Sequence, residues 1–158
     1  MLMLQVVLKF KYNFWQKIVQ GADFFGHVPQ SSEGRGHCGL FYDLCKKANE
    51  KSKKATNVLM TVLSGDTAVQ AQTMTDKEVV DSCMNTLRKL FPYEIPDPQA
   101  YLVTNWGRDP QSGMAYSYIP IGSTGEEYDH LACDIDSKLF FAGEVCIVKW
   151  VWSGGSPK

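Results

Sequence analysis

Asn57-Val58-Leu59-Met60-Thr61-Val62-Leu63 is the stretch on which the fold turns. Val58, Leu59, Met60, Val62 and Leu63 make it almost continuously apolar, which suits a strand covered on both faces. Ser64-Gly65-Asp66 reads as a turn. A helix follows. Thr75 can cap it, and Glu78 three residues later completes a capping box. Val79, Val80, Cys83, Met84, Leu87, Leu90 and Phe91 then fall on one helical face. Arg88 and Lys89 occupy the last turn, where the helix dipole favours cations, and Pro92 cannot continue the helix. A strand feeding an amphipathic helix needs a sheet for that helix to cover.

Working outward, the neighbours supply one. Val6 to Phe10, Asp23 to Val28 (stopped by Pro29), Gly39 to Leu44 and Tyr101 to Trp106 carry the residues that favour strands. Leu139 to Gly143 reads as a final buried strand, Ala115 to Ile119 as a short extended piece, and Glu126 to Ala132 as a short helix. Residues 30–36, 107–113 and 122–125 have loop chemistry. Pro96-Asp97-Pro98 is a rigid connection. The expected class is α/β (α+β), a mixed β-sheet flanked by helices, with no internal repeat and no internal boundary. Residues 153–158 read as a flexible tail.

The totals exclude several functions. The chain has 158 residues, enough for one hydrophobic core, and a formal net charge of −1. Such a balance creates no global field for nucleic acid or an anionic membrane. Lys46 to Lys54 is the most basic stretch, but no aromatic residue interleaves with its lysines, so it reads as a solvated turn. No apolar run reaches the roughly 18 residues of a membrane span. The apolar start, Met1 to Leu8, lacks a basic leader and a cleavage site, and reads as a buried strand. Cys38, Cys45, Cys83, Cys133 and Cys146 are odd in number and form no C-x-x-C pair, which points to free thiols in a reducing, intracellular compartment. His27, His37 and His130 are scattered, so no metal site is expected.

One motif invites a cofactor. Gly34-Arg35-Gly36-His37-Cys38-Gly39 matches G-x-G-x-x-G. A dinucleotide site needs a buried strand before it and a helix after it. Here Gln30-Ser31-Ser32-Glu33 precedes and a strand follows, so the match reads as a loop.

Three groups of segments carry more. The first is Val6-Val7-Leu8-Lys9-Phe10, Phe14-Trp15 and Gly21-Ala22-Asp23-Phe24-Phe25-Gly26-His27-Val28. The second is Val103-Thr104-Asn105-Trp106, Asp109-Pro110, Met114-Ala115-Tyr116-Ser117-Tyr118 and Gly122 to Asp129. The third is Leu139-Phe140-Phe141-Ala142-Gly143-Glu144. In order and spacing they resemble the flavin-dependent lysine-specific histone demethylases, in particular the 1B-type branch, within the FAD amine oxidases. The resemblance runs from about Gln5 to Glu144. It implies the substrate lobe of an amine oxidase, incomplete, plus the strand that returns to FAD. It also implies oxidative demethylation of methyl-lysine on histone tails: hydride transfer to flavin, hydrolysis of the imine to formaldehyde, and release of hydrogen peroxide. Nuclear localisation, a histone tail peptide as partner and chromatin-associated cofactors follow from the same resemblance.

Site residues carry over one at a time. Glu144 matches a carboxylate that contacts FAD, and Gly143 matches the glycine that lets backbone approach it. Trp106 and Tyr116 match aromatic residues lining the amine site. Two positions depart from the family. Gln5 stands where a lysine holds a water near the flavin, and Gln111 stands where a tryptophan follows Asp-Pro. The expected organisation is a partial amine oxidase domain over residues 1–144 and a divergent tail over 145–158. The expected function is that of a fragment of such an oxidase, inactive alone and without tight FAD binding. The alternatives are a cofactor-free module that binds histone tails or partners, and a piece of an oxidase of small amines or polyamines.

Overall fold

The apolar run and the long helix do meet in the computed structural model, which describes residues 2–45 and 56–146. The strands are β1 (Met3–Lys9), β2 (Phe24–Gly26), β3 (Leu40–Asp43), β4 (Val58–Ser64) and β5 (Ala100–Val103). They form a sheet in the order β2-β3-β4-β1-β5, and every pairing in it is antiparallel. The helices are α1 (Gln16–Val19), α2 (Gly65–Ala71), α3 (Asp76–Leu90) and α4 (Glu126–Ala132). The chain divides into two units, residues 1–115 and 116–158. The first holds the whole sheet with α1 to α3, and the second holds α4. The basic stretch Lys46 to Lys54 and most of the expected tail lie outside the described residues.

Alternation sets the sheet's two faces. Leu4, Val6 and Leu8 of β1 and Leu59, Thr61 and Leu63 of β4 are buried. Val79, Val80, Cys83, Met84 and Leu87 of α3 join them in one core. Each apolar side chain of this kind contributes about 1.5–3 kcal/mol when fully buried. Val58, Met60 and Val62 on the other face are only half-buried. β4 is therefore fully covered on one face, not on both as its composition suggests. A near-continuous apolar run hides the period-two signal that burial restores.

Aromatic residues close one end of this core. Phe14 lies edge-on to Phe10, Trp15 and Phe91, with ring centroids 5.0, 4.9 and 5.0 Å apart. Phe25 stacks on Phe41 at 5.2 Å. Tyr93 donates its hydroxyl to the Phe14 carbonyl at 2.8 Å. Offset and edge-on pairs of this type add about 0.5–1.5 kcal/mol beyond their buried area.

The capping box of α3 is present in full. The Glu78 N–H donates to Thr75 Oγ1 at 3.3 Å, and the Thr75 N–H donates to Glu78 Oε2 at 2.7 Å. Three segments differ from the sequence reading. Ser64-Gly65-Asp66 does not turn the chain but starts α2, because Ala68 and Ala71 pack that helix into the core. Ala115 to Ile119, read as a short extended piece, bends at its first two residues. Leu139 to Gly143 is not a buried strand: Phe140 is 72% exposed, and the segment's one bridge joins Leu139 to Ile135. Asp136 and Ser137, both with positive φ, fold the chain back locally there.

The G-x-G-x-x-G match has a structural cause. Gly36 has φ +81 and presses against the Ser64 carbonyl, where a Cβ has no room. Its own carbonyl accepts the Ser64 N–H at 2.8 Å. A Cβ on Gly34 would meet Pro29 Cβ at 2.7 Å. Strand β3 follows, not a helix. These glycines permit close backbone packing, and no phosphate is needed to explain them.

Two expectations about stability follow. Thr75→Ala should cost about 1 kcal/mol in chemical denaturation. Gly36→Ala should cost about 2 kcal/mol or more, from positive φ and backbone overlap together. Gly39→Ala, at a site with nothing within 4 Å, should stay within about 0.5 kcal/mol and serves as the control.

Candidate functional site

Gln5 lies near the N-terminal end of β1, opposite Val62 of β4. The pleat puts it on the half-buried face with Met3 and Val7, away from Leu4 and Val6. Both of its backbone polar groups are held by Thr104. The Gln5 N–H donates to Thr104 Oγ1 at 2.8 Å, and the Gln5 carbonyl accepts the Thr104 N–H at 2.9 Å. Thr104 thus extends the β1–β5 ladder by one residue and fixes where the chain leaves the sheet. Two residues later comes Trp106, 39% exposed. Gln5 and Trp106 therefore sit at the same end of the sheet.

The chain then makes a tight loop. The Asn105 carbonyl accepts the N–H groups of Arg108 and Asp109, at 3.0 and 3.2 Å. Gly107 packs so closely on Leu2 and Gln72 that a Cβ would overlap Leu2. Asp109 organises the far side of the loop. Its carboxylate accepts the Gln111 N–H at 2.9 Å and the Ser112 hydroxyl at 2.8 Å. The Gln111 backbone bond, followed by Ser112, holds the Asp109 carboxyl below its ordinary range. Gln111 is thereby fixed through its backbone, while its side chain is exposed. The Asn105 side-chain oxygen is buried and has no hydrogen-bond partner among the described residues. A buried acceptor left open beside Trp106 is a place where a donor can be received.

The remaining candidates belong to the second unit. Ser117, next to Tyr116, donates its hydroxyl to the Glu144 carboxylate, with both carboxylate oxygens at 2.7 Å. That bond ties Glu144 to the residue that follows Tyr116. A carboxylate has about four lone-pair sites, so Glu144 keeps capacity for further donors. Around Gly143, a Cβ would find nothing within 4 Å, which leaves open space beside the carboxylate. Glu144 to Cys146 form a short 3-10 turn, and the Cys146 N–H donates to the Gly143 carbonyl at 3.1 Å.

Gln5, Trp106 and Gln111 thus fall in the first unit, and Tyr116, Gly143 and Glu144 in the second. Thr104, Asn105, Asp109 and Ser117 were not singled out by sequence reasoning. Asp109 had a usable signal, since Asp-Pro-x-Ser is typical of side-chain-capped turns. Ser117 and Thr104 had none, because their partners are 27 and 99 residues away. Among the described residues, no group of three or more His, Cys, Asp or Glu side chains could hold a metal ion. No helix among them is long and apolar enough to cross a membrane.

Comparison with known proteins places this geometry. The model of the flavin containing amine oxidoreductases matches residues 2–151. Lysine-specific histone demethylase 2 of Homo sapiens is 47% identical over 141 residues, 89% of this chain and 16% of that protein. Lysine-specific histone demethylase 1B of Mus musculus is 44% identical over the same shares. The chain thus spans about one sixth of the length of these relatives. Among solved structures, putrescine oxidase bound to putrescine superposes with a TM-score of 0.55 at 15% identity, over 73% of this chain and 23% of that one. That likeness supports an amine oxidase fold for the sheet and its helices.

The Asp109 carboxylate offers a direct check of the loop. Its pKa is depressed in the folded state, so its contribution is present above the ordinary carboxylate value, about 3.9, and is lost as pH falls through the folded value. In an NMR titration the Gln111 amide should shift with a midpoint below about 3.9. A midpoint at or above that value would contradict the hydrogen bonds described.

Proposed function

Because this chain belongs to the flavin-containing amine oxidoreductase family, we propose that it forms part of the substrate lobe of an FAD-dependent oxidase that demethylates methyl-lysine on histone tails. The observation that carries the reading is the identity to two histone demethylases across 89% of the chain. The local geometry is in keeping with it. FAD, when bound, supplies the hydride acceptor, and the protein supplies orientation and electrostatics.

Glu144 and Gly143 are the residues of this chain that would hold the cofactor. The donor set fits: an exposed carboxylate with spare lone pairs can accept a hydroxyl, and the open glycine admits close approach. Ser117 orients the carboxylate. Trp106 would present a flat face to a methylated ammonium, an attraction of about 0.5–1 kcal/mol at exposed sites, and Tyr116, taken by itself, offers the same kind of face in the second unit. Gln5 can orient a water through its amide but cannot carry the charge of a lysine. Gln111 offers an amide where an aromatic wall would stand. Nuclear localisation and chromatin-associated partners belong to the same proposal.

A second reading, a histone-tail module that works without cofactor, draws on the two neutral amides at positions 5 and 111. A pair of titrations separates the readings. The first follows the absorbance of FAD as protein is added. The second follows binding of a dimethyl-lysine histone peptide with no FAD present. The oxidase reading expects no tight FAD binding by this chain: a weak perturbation of the flavin spectrum, seen only at high protein concentration and removed by Glu144→Ala. Peptide binding with an unchanged flavin spectrum moves the module to first place. In either case Trp106→Ala should weaken peptide binding by roughly 2- to 5-fold. An unmodified peptide that binds as well as the methylated one would overturn both.

A further inference from the structure

Away from these residues, two cysteines far apart in sequence meet in the core. Cys38 Sγ and Cys83 Sγ lie 3.1 Å apart, and neither residue is exposed. Cys38 sits in the loop before β3, and Cys83 is on the buried face of α3. Cys38 has φ +48, a left-handed conformation that side chains rarely adopt. The next residue back, His37, is fixed to α3 by two hydroxyls: Ser82 Oγ lies 2.8 Å from Nε2, and Thr86 Oγ1 lies 3.4 Å from Nδ1. The loop is thereby docked on the helix with the two sulfurs facing each other.

We propose that Cys38 and Cys83 form a peroxide-sensitive dithiol site, closing to a disulfide that ties the loop before β3 to helix α3. The geometry nearly suffices already, since a disulfide bond of about 2.05 Å needs only about 1 Å of further approach. The two thiols are also chemically unequal. The Cys83 thiol hydrogen-bonds the Cys38 sulfur and lowers Cys38 to about 6, aided by His37 and opposed by desolvation. The same contact, with burial, pushes Cys83 up. Cys38, next in sequence to the docked His37, is assigned as the nucleophile, and Cys83, 3.1 Å away, as the resolving thiol.

The step balances with a hydroperoxide as oxidant. The Cys38 thiolate attacks one peroxide oxygen, the O–O bond breaks, and the departing hydroxide takes a proton to leave as water. This gives a sulfenic acid at Cys38. The Cys83 sulfur then displaces the sulfenic hydroxyl, which leaves as a second water with the Cys83 proton. Two thiols and one hydrogen peroxide give one disulfide and two waters. The other thiols differ. Burial, then Asp43, pushes Cys45 up to about 11, so it stays protonated, while Cys133 is exposed with no second sulfur bonded to it.

The test uses the full chain, fully reduced, then treated with hydrogen peroxide, denatured, alkylated without reductant and digested. Mass spectrometry should find one peptide pair linked through Cys38 and Cys83, two hydrogens lighter than the sum of its parts and split by dithiothreitol. Cys45→Ser should keep that link, and Cys83→Ala should remove it. The oxidised chain should melt several degrees above the reduced one. Alkylated Cys38 and Cys83 after peroxide, or a link between any other pair, would overturn the proposal. The wild-type digest alone decides it, even if a variant folds poorly.

Discussion

The larger unit depends on the double pairing of β1. This strand is hydrogen-bonded to β4 along its whole length and to β5 over four residues. Only one of its faces is fully buried, so its register admits no error. A slip of one residue would turn Leu4, Val6 and Leu8 out of the core and bring Met3, Gln5 and Val7 in. The shared core that β1 forms with β4 and the helices opposes this slip. The same register decides which residue of β1 the Thr104 clamp can reach, and so where Trp106 emerges.

The residues of functional interest sit where that constraint relaxes. Gln5 faces away from the core on a strand that cannot move. Trp106 leaves the sheet one residue beyond Asn105, whose buried side-chain oxygen has no hydrogen-bond partner among the described residues. Asp109 and Ser117 each organise a segment outside regular structure by means of a side chain. A rigid sheet holds the first of these residues, and side-chain hydrogen bonds hold the rest.

Much of the fold was legible in the sequence for physical reasons. The capping box, the apolar face of α3 and the Pro92 stop are local signals, and all three appear in the structure. The strands around Val6, Phe25, Phe41 and Leu59 were legible because their residues suit a pleated, half-buried surface. Leu139 to Gly143 misled because apolar composition alone cannot show whether a neighbouring strand exists. Ser64 to Asp66 misled because a Ser-Gly-Asp triplet can open a helix as readily as a turn, and only the packing of Ala68 and Ala71 decides. The family was legible from the order of many short segments. The Ser117–Glu144 and Gln5–Thr104 contacts were not, since neither has a local signature.

The lengths of the strands carry one more consequence. The inner strands β1 and β4 have seven residues each, whereas the outer strands β2 and β5 have three and four. Pro29 lies shortly after β2, and Pro98 shortly before β5. A sheet that narrows towards both margins offers a passing chain only a few free amides and carbonyls, and proline interrupts any attempt to lengthen the row. The long ladders that could seed cross-β growth are enclosed at the centre. Resistance to fibril formation is thus built into the outline of the sheet itself, independently of the polarity of its side chains.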